Sequence, residues 1–233
     1  MKSNAHLRVT PIRIRNVNIF LIQTQDGYSL IDTGVPFHER LIERNLWSMG
    51  VKLADIQTII LTHGHLDHIG CLGHIKSQSS ASVICHRSIQ SALESGDYEE
   101  AIPRVMGWKL FNPLISPLLH SRLVPVLPDQ VVDEFLDLRD FGLPGAVIHT
   151  PGHSPGSCSI ILEEEICFLG DLIRETTPGR YDTGLFYHDR DQIFNSLRKI
   201  NLLKPKIIYL SHGSTMSCNK LGDFIHQAAQ QSD

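Results

Sequence analysis

The segment that most constrains the fold of this chain is THGHLDHIG, residues 62–70, which directly follows a short apolar run at residues 56–61. A run of this kind is typical of a strand covered on both faces, and polar residues at its end are held in place by the sheet. Four side chains of the segment can ligate a metal ion: His63, His65, Asp67 and His68. In an extended segment the first two project to one face, whereas the adjacent last two project to different sides. This arrangement suits two neighbouring metal ions better than one.

Imidazole nitrogens and carboxylate oxygens are the usual protein ligands of zinc, and they also suit iron or manganese. The segment therefore predicts metal binding and leaves the identity of the metal open. The alternative interpretation is a polar loop that happens to be rich in histidine. That alternative does not explain why four ligand types crowd directly after an apolar strand.

The composition is that of a globular chain. With 233 residues, of which 42% are hydrophobic, the chain can bury a large core, and no linker rich in Gly, Ser or Pro divides it. We therefore expect one domain over residues 1–233. The formal net charge is -4, from 21 basic and 25 acidic residues, so we expect no nucleic-acid partner.

Two expectations concern the surroundings of the protein. No stretch is long and apolar enough to span a bilayer, and the N-terminal residues lack the apolar run of a secretory signal. The five cysteines form no CxxC pair and are odd in number. They are typical of small buried residues in a reducing compartment, so we expect a cytoplasmic protein without a membrane span.

The two halves of the chain repeat one plan, in which several strands are followed by a helix and then by a strand that ends in polar residues. The predicted elements are strands within residues 7–32, 56–61, 82–85, 131–148, 158–162, 166–169 and 207–210, and helices within 36–49, 191–203 and 218–230. Two such halves facing each other would share one core. They would also bring all the polar strand ends to one edge.

Residues 86–128 are the least regular part of the sequence, because prolines at positions 103, 113 and 117 interrupt the helical spacing. We expect two or three short helices there. The apolar residues, including Trp108 and Phe111, could roof a substrate pocket as a helical lid, form the face of a homodimer, or simply cover the sheet. The sequence leaves these three interpretations open.

Seven candidate ligands follow predicted strands: His63, His65, Asp67, His68, His153, Asp171 and His212. Five imidazoles and two carboxylates fill the protein positions of two metal sites and leave room for solvent and substrate, as catalytic zinc requires. The HxHxDH spacing of the first four is specific. The later single histidines and the Gly-Asp step are weak signals on their own, but their order and contexts match one pattern.

That pattern resembles the metallo-β-lactamase fold superfamily of hydrolases, over residues 14–213. The resemblance implies an α/β fold, in the form of a four-layer αββα sandwich and a single domain. It implies a site of two divalent metal ions, with the first held by His63, His65 and His153, the second by Asp67, His68 and His212, and both bridged by Asp171. Asp32, in the Asp-Thr-Gly step that the family shares, would accept a hydrogen bond that orients a ligand imidazole.

The charge of such a site favours hydrolysis. Two divalent ions opposed by two carboxylates leave a positive cluster, which lowers the pKa of bound water from about 15.7 towards 7. We therefore expect a hydroxide nucleophile that attacks the ester, thioester or lactone carbonyl of a small-molecule substrate. Asp171 as a bridge resembles the glyoxalase II and lactonase branch, and Asp67 could accept or relay a proton.

Other functions are compatible with the same residues. The site could serve a phosphodiesterase, non-haem iron could support a redox protein similar to sulfur dioxygenases, and the fold could serve binding or regulation alone. Substrate contacts are predicted for Tyr181, Tyr187 and His188, because a tyrosine hydroxyl after Asp171 could hydrogen-bond an oxyanion. The alternative interpretation of these three residues is a surface or core position on a connection.

Overall fold

The computed structural model describes residues 7–104 and 122–230. Its first sheet has six strands in the order β1 to β6: Arg8–Ile14, Val17–Gln23, Tyr28–Ile31, Ile56–Ile60, Ser82–His86 and Gln130–Val132. The first three strands are antiparallel neighbours, and β3 to β6 are parallel neighbours. The sheet therefore combines a local meander with strands that need crossover connections.

The second sheet also has six strands, in the spatial order β14-β13-β10-β9-β8-β7. In chain order these are Phe135–Asp137 (β7), Gly145–His149 (β8), Cys158–Leu162 (β9), Ile166–Phe168 (β10), Ile207–Tyr209 (β13) and Thr215–Met216 (β14). Strands β10 and β13 are parallel, and the other neighbours are antiparallel. A separate hairpin of Arg174–Thr177 (β11) and Arg180–Asp182 (β12) was not among the predicted strands.

The described α-helices are Glu39–Ser48 (α1), Leu66–Ile69 (α2), Leu72–Ser77 (α3), Arg87–Ser95 (α4), Arg190–Leu202 (α5) and Cys218–Gln230 (α6). Helix α5 begins after Asp189, whose carboxylate accepts hydrogen bonds from the N–H groups of Asp191 and Gln192. Helix α4 ends at Gly96, which adopts the left-handed conformation with φ of 73°.

Three hydrophobic clusters divide the molecule into four layers. The first joins the first sheet to helices α1, α3 and α4, and the second joins the second sheet to α5 and α6. The third lies between the sheets. Successive residues of β2 alternate between these layers, so Ile19 and Leu21 contact the helix side while Phe20 and Ile22 contact the other sheet. The predicted αββα sandwich is confirmed.

Aromatic side chains hold the two sheets together at the centre. The rings of Phe20 in β2 and Phe168 in β10 lie with their centroids 5.0 Å apart, and Phe168 stacks on Tyr209 of β13 at 5.1 Å. Both phenylalanines are almost completely buried. Offset and tilted aromatic pairs of this kind add about 0.5–1.5 kcal/mol to the burial of their area. The strand ends beyond them therefore project from a rigid base.

Within residues 86–128, the described part contains one helix, α4. Residues 105–121, with Trp108 and Phe111, lie outside the described residues, and so does much of the predicted lid, dimer face or sheet cover. Pro103 forms an antiparallel bridge with Phe186. Cys71, Cys85, Cys158 and Cys167 are buried as expected, and Cys218 is partly exposed. None of the described helices is long and apolar enough to cross a membrane.

Candidate metal centre

The structure brings all seven candidate ligands together at one edge of the two sheets. Four of them follow β4, in a segment that turns into α2, and His153 lies in the loop between β8 and β9. Asp171 and His212 follow β10 and β13, which are parallel neighbours and therefore end on the same side. The Cys158 N–H donates to the Thr62 carbonyl at 2.7 Å, which joins the two sheets beside the cluster.

The ligand atoms form three overlapping groups, and within each group they all lie within 4.8 Å of one another. The groups are His63, His65 and His153; His63, His68 and Asp171; and Asp67, His68 and His212. In the first group, Nδ1 of His65 lies 3.1 Å from Nε2 of His63 and 2.9 Å from Nε2 of His153. Three imidazole nitrogens therefore converge on one small volume.

Asp171 lies between the groups. Its Oδ2 atom is 3.1 Å from Nε2 of His212 and 3.7 Å from Nε2 of His153, while its Oδ1 atom is 3.4 Å from Nε2 of His68. Asp67 lies on the outer side, with Oδ2 3.4 Å from Nε2 of His212 and 35% of its side chain exposed. One carboxylate is therefore enclosed by ligands, and the other faces the opening of the site.

The donor atoms fit a bound cation. Nε2 of His68 and Oδ1 of Asp171 are buried and face each other, and neither has a hydrogen-bond partner in the part of the chain that the structure describes. A buried polar atom without a partner costs about 1–3 kcal/mol, so such atoms are rare in folded proteins. Imidazole and carboxylate lone pairs left in this way match the ligand preference of a divalent metal ion.

Burial keeps three of the histidines neutral. It lowers the pKa of His65 and of His153 to about 4, and it lowers the pKa of His63 well below 6.5, where the neighbouring imidazoles add to the effect. A neutral imidazole is the form that ligates a metal ion. This group is therefore in its ligating form at neutral pH.

In the remaining ligands, histidines and carboxylates shift the pKa values of one another. Although burial alone would lower the pKa of His212, Asp171 and Asp67 raise it to about 10, and the pKa of His68 is raised for the same reason. Conversely, although burial would raise the pKa of Asp67, His68 and His212 lower it to about 2. The two carboxylates thus favour positive charge at this position, which a bound cation would supply.

Asp32 is fully buried behind the cluster. It accepts hydrogen bonds of 2.8 Å from the backbone N–H of Thr62, from the Thr62 hydroxyl and from Nδ1 of His68. Because Nδ1 of His68 donates to this carboxylate, Nε2 is the atom that faces the other ligands. The structure therefore places Asp32 in contact with a candidate ligand, on the side away from the cavity.

Two further groups that orient histidines were not identified from the sequence. The carbonyl oxygen of Asn16 accepts a hydrogen bond of 2.8 Å from Nδ1 of His212. The Thr62 hydroxyl, which donates to Asp32, lies 3.0 Å from Nδ1 of His63 and accepts from it. Asn16 acts through its backbone carbonyl, so the sequence carries no signal for it. The position of Thr62 between the predicted strand and His63 was a usable signal.

Glu99 was also missed, and it joins the two histidine loops. Its Oε2 atom accepts hydrogen bonds of 2.8 Å from the N–H of Gly64 and from the hydroxyl of Ser154, and its own N–H donates to the Gly64 carbonyl at 2.8 Å. Gly64 separates His63 from His65, and Ser154 follows His153. Nothing in the sequence around Glu99 distinguishes it from its acidic neighbours.

The cluster opens into a cavity of about 1240 Å³. The three side chains predicted to contact substrate are not among the residues that line it. Tyr181 and Tyr187 instead pack, partly buried, against the hydrophobic cluster under α5 and α6, and the His188 N–H donates to the carbonyls of Gly152 and His153. In the same connection, Leu185 and Phe186 line the cavity.

Two facing sheets between helical layers, with clustered histidines and aspartates at the strand ends, define an α/β fold built to carry a metal centre at one edge. The chain belongs to the metallo-beta-lactamase superfamily, whose family model matches residues 12–212. The resemblance to this superfamily that the sequence showed over residues 14–213 is thereby confirmed. Relatives of the chain in this superfamily are named as a metallo-hydrolase and as a hydrolase. Metal-dependent hydrolysis is therefore the general class of activity.

The chain is 33% identical over 187 residues to the probable metallo-hydrolase MJ0888 of Methanocaldococcus jannaschii, covering 79% of this chain and 82% of the relative. It is 27% identical over 213 residues to the hydroxyacylglutathione hydrolase GloC of Haemophilus influenzae, covering 90% and 91%. Among solved structures, the metallo-beta-lactamase family protein TTHA1429 from Thermus thermophilus superposes with a TM-score of 0.70 at 24% identity, covering 97% of this chain and 81% of that one. This last likeness concerns the fold alone.

Proposed function

We propose that the protein hydrolyses an ester, thioester or lactone carbonyl at a dinuclear metal centre. The observation that carries this proposal is the position of Asp171, which lies 3.7 Å from Nε2 of His153 in the first set of ligands and 3.1 Å from Nε2 of His212 in the second. A carboxylate so placed suits two cations that share it. A relative named as a hydroxyacylglutathione hydrolase supports a thioester as the first substrate class to test.

In this proposal the first cation is held by His63, His65 and His153, the second by Asp67, His68 and His212, and Asp171 contacts both. Zn²⁺ is the proposed metal because imidazole nitrogens dominate the donor set. Bound there, two such ions would supply Lewis acidity and a water molecule acidified to a pKa near 7.

The side chains of the chain contribute orientation and proton acceptance. Asp32 and the Asn16 carbonyl hold Nδ1 of His68 and of His212, so both rings present Nε2 to the centre. Asp67 is the proposed catalytic carboxylate. Its low pKa, about 2, keeps it ionised at neutral pH, and its exposed side faces the cavity, so it accepts a hydrogen bond from the attacking water and aligns it.

A substrate panel tests the reaction class. The zinc-loaded protein is assayed against an acyl thioester, a γ-lactone and a bis-aryl phosphodiester, with oxygen uptake recorded in parallel. We expect turnover of the thioester or lactone at least about tenfold above that of the phosphodiester, because the proposed chemistry is acyl transfer. A preference for the phosphodiester would indicate a phosphodiesterase. One iron per chain in the protein as purified, together with oxygen consumption by that preparation, would indicate a redox protein.

Ligand variants test the site. His65→Ala and Asp171→Ala remove one ligand from the first group and the shared carboxylate, so we expect metal content and activity to fall together while the circular dichroism spectrum is retained. His226→Ala is the control, because His226 is exposed in α6 and pairs with Gln230. Native metal content in both ligand variants would overturn the assignment.

A further inference from the structure

One wall of the cavity is formed by the turn between β1 and β2. Arg13, Arg15 and Asn16 line the cavity there, next to Phe37 and His38 from the loop after β3. Arg13 lies on the exposed side of β1 between the buried Ile12 and Ile14. Two arginine residues therefore line the same cavity as the metal ligands.

Each guanidinium is fixed at its Nε atom. Nε of Arg13 donates to the carbonyl of Arg15 at 3.0 Å, and Nε of Arg15 donates to Nε2 of His38 at 2.7 Å. Nδ1 of His38 lies 2.8 Å from the Pro36 carbonyl, so Nδ1 carries the proton and Nε2 is free to accept. The terminal nitrogens of both arginines have no hydrogen-bond or carboxylate partner in the part of the chain that the structure describes.

The other charged groups along the cavity already have hydrogen-bond or ion-pair partners. Arg174 forms an ion pair with Asp182 at 2.8 Å. Glu175 accepts hydrogen bonds from Gly179 and Ser214, and Glu99 holds the histidine loops. Asp67 and Asp171 belong to the ligand cluster. Arg13 and Arg15 are thus the cavity cations that the described residues leave without a counter-charge.

The turn has a fixed position relative to the metal centre. Next to Arg15, the Asn16 carbonyl accepts from His212, and the Asn18 amide donates to the carbonyls of Leu210 and Gly213 at 3.0 and 2.8 Å. Arg15 itself adopts the left-handed conformation with φ of 58°, as the first residue of the two-residue hairpin turn between Ile14 and Val17. The cationic turn is therefore anchored to the strand end that carries a ligand.

We infer that Arg13 and Arg15 form a subsite for an oxyanion, a carboxylate or phosphate group of the substrate, beside the bond that is cleaved. This inference rests on the proposed hydrolase function and adds the class of substrate: an acyl compound that carries a negative charge away from its reacting carbonyl. Terminal nitrogens of guanidinium groups bind carboxylates and phosphates through paired, charge-assisted hydrogen bonds. Two of them on one wall of the cavity can together bind one such group.

Binding of inert analogues tests the subsite without turnover. The probes are three thioethers, in which a CH₂ replaces the thioester carbonyl: S-butyl-3-mercaptopropionate, its neutral primary amide, and the phosphonate that replaces the carboxylate. Calorimetry on the zinc-loaded protein should give affinities at least about tenfold higher for the charged thioethers than for the amide. A tighter carboxylate or phosphonate then identifies which oxyanion the subsite prefers.

Variants assign that preference to the arginines. In Arg13→Gln/Arg15→Gln we expect the preference to fall below about twofold, while Arg8→Gln, an exposed arginine of the same strand outside the cavity, retains it. Thermal melting of each variant verifies that it is folded. Equal affinity of the native protein for charged and neutral thioethers would overturn the inference. So would a preference that persists in the double variant, because the anion would then be held by the metal centre.

The matching thioester substrates separate this inference from the proposed function. In the double variant, KM for the carboxylate thioester should rise by about tenfold, with kcat and the KM of the neutral thioester within about twofold of native values. If the native protein hydrolyses neither thioester, and neither an ester nor a lactone, the proposed function fails. The binding of the thioethers still decides whether the subsite exists.

Discussion

Asp32 combines a rare backbone conformation with complete burial, since its φ is 61° and its side chain contacts three donors. We predict that Asp32→Ala lowers zinc affinity about 10–100-fold, because His68 loses the acceptor that orients its ring. Competition with a chromophoric chelator measures the change. Asp137→Ala, which removes an exposed carboxylate paired with Arg139, is the control. An unchanged affinity in Asp32→Ala would mean that packing alone orients His68.

Glu99 acts between two loops, and its role differs from that of a ligand. We predict that Glu99→Ala weakens zinc binding about tenfold, because Gly64 and Ser154 lose a shared acceptor and the histidines beside them lose their relative position. Glu99→Gln keeps one acceptor oxygen and should lie between Glu99→Ala and the native protein. Metal titration of the three proteins verifies the order. If Glu99→Gln and Glu99→Ala bind zinc equally weakly, the charge of Glu99 rather than its geometry explains the effect.

Whether a single residue could be predicted from the sequence depends on whether its role is tied to a local sequence feature. His153, Asp171 and His212 could be predicted because each follows a strand and carries a ligand group. Glu99 and Asn16 could not, since their contacts depend on where distant segments meet: Glu99 on the loop that carries Gly64, and Asn16 on the end of β13. Nothing local encodes either contact.

At the scale of elements, the loop with His153 packs directly on α5. A Cβ atom on Gly152 would lie 2.3 Å from the backbone nitrogen of Ile193, and the φ of Gly152 is 136°. We predict that Gly152→Ala destabilises the fold by more than about 2 kcal/mol, because the backbone of the helix must move and the conformation is strained. Urea unfolding measures the loss.

Gly179 provides the matched control for that prediction. It has a positive φ of 78°, but a Cβ atom there would meet nothing within 4 Å. Gly179→Ala should therefore cost only the left-handed penalty of about 1–2 kcal/mol. Equal losses in the two variants would show that backbone conformation, and not the contact with α5, limits the loop.

Elements in the core were predicted well, and those outside it were not. The hairpin of β9 and β10 and the final helix α6 match their predicted positions, because apolar residues recur in them at the spacing of a strand or a helix. Strands β11 and β12 consist mainly of charged and polar residues and lie outside both sheets, so no buried face imposes a pattern. The Pro178-Gly179 turn was the available signal for that hairpin.

At the scale of the whole molecule, the proposed cations would tie the two sheets together, since their ligands come from both. We predict that chelation lowers the melting temperature and that zinc restores it. A ligand that binds only the folded state stabilises it by about 2.7 kcal/mol at a hundredfold excess over its Kd. The melting temperature of Asp171→Ala should change much less on chelation and on addition of zinc. Calorimetric melting with and without chelator measures both proteins.

The overall architecture could be predicted because its repeating plan of strands, helix and polar strand end is visible in the sequence. The pairing of the strands was not. Parallel neighbours such as β10 and β13 are separated by more than thirty residues, and their register depends on packing across the core rather than on a local turn.

The order of the ligands along the chain has a consequence for how the protein is made. In the proposed assignment, the histidine triad is complete once β8 and its loop exist, whereas the second set needs His212 after β13. A chain still emerging from the ribosome would carry three metal-binding imidazoles before it could build the shared centre. Only synthesis past the last parallel strand provides places for two ions, so a full complement of metal marks a chain that has been made and folded to that point.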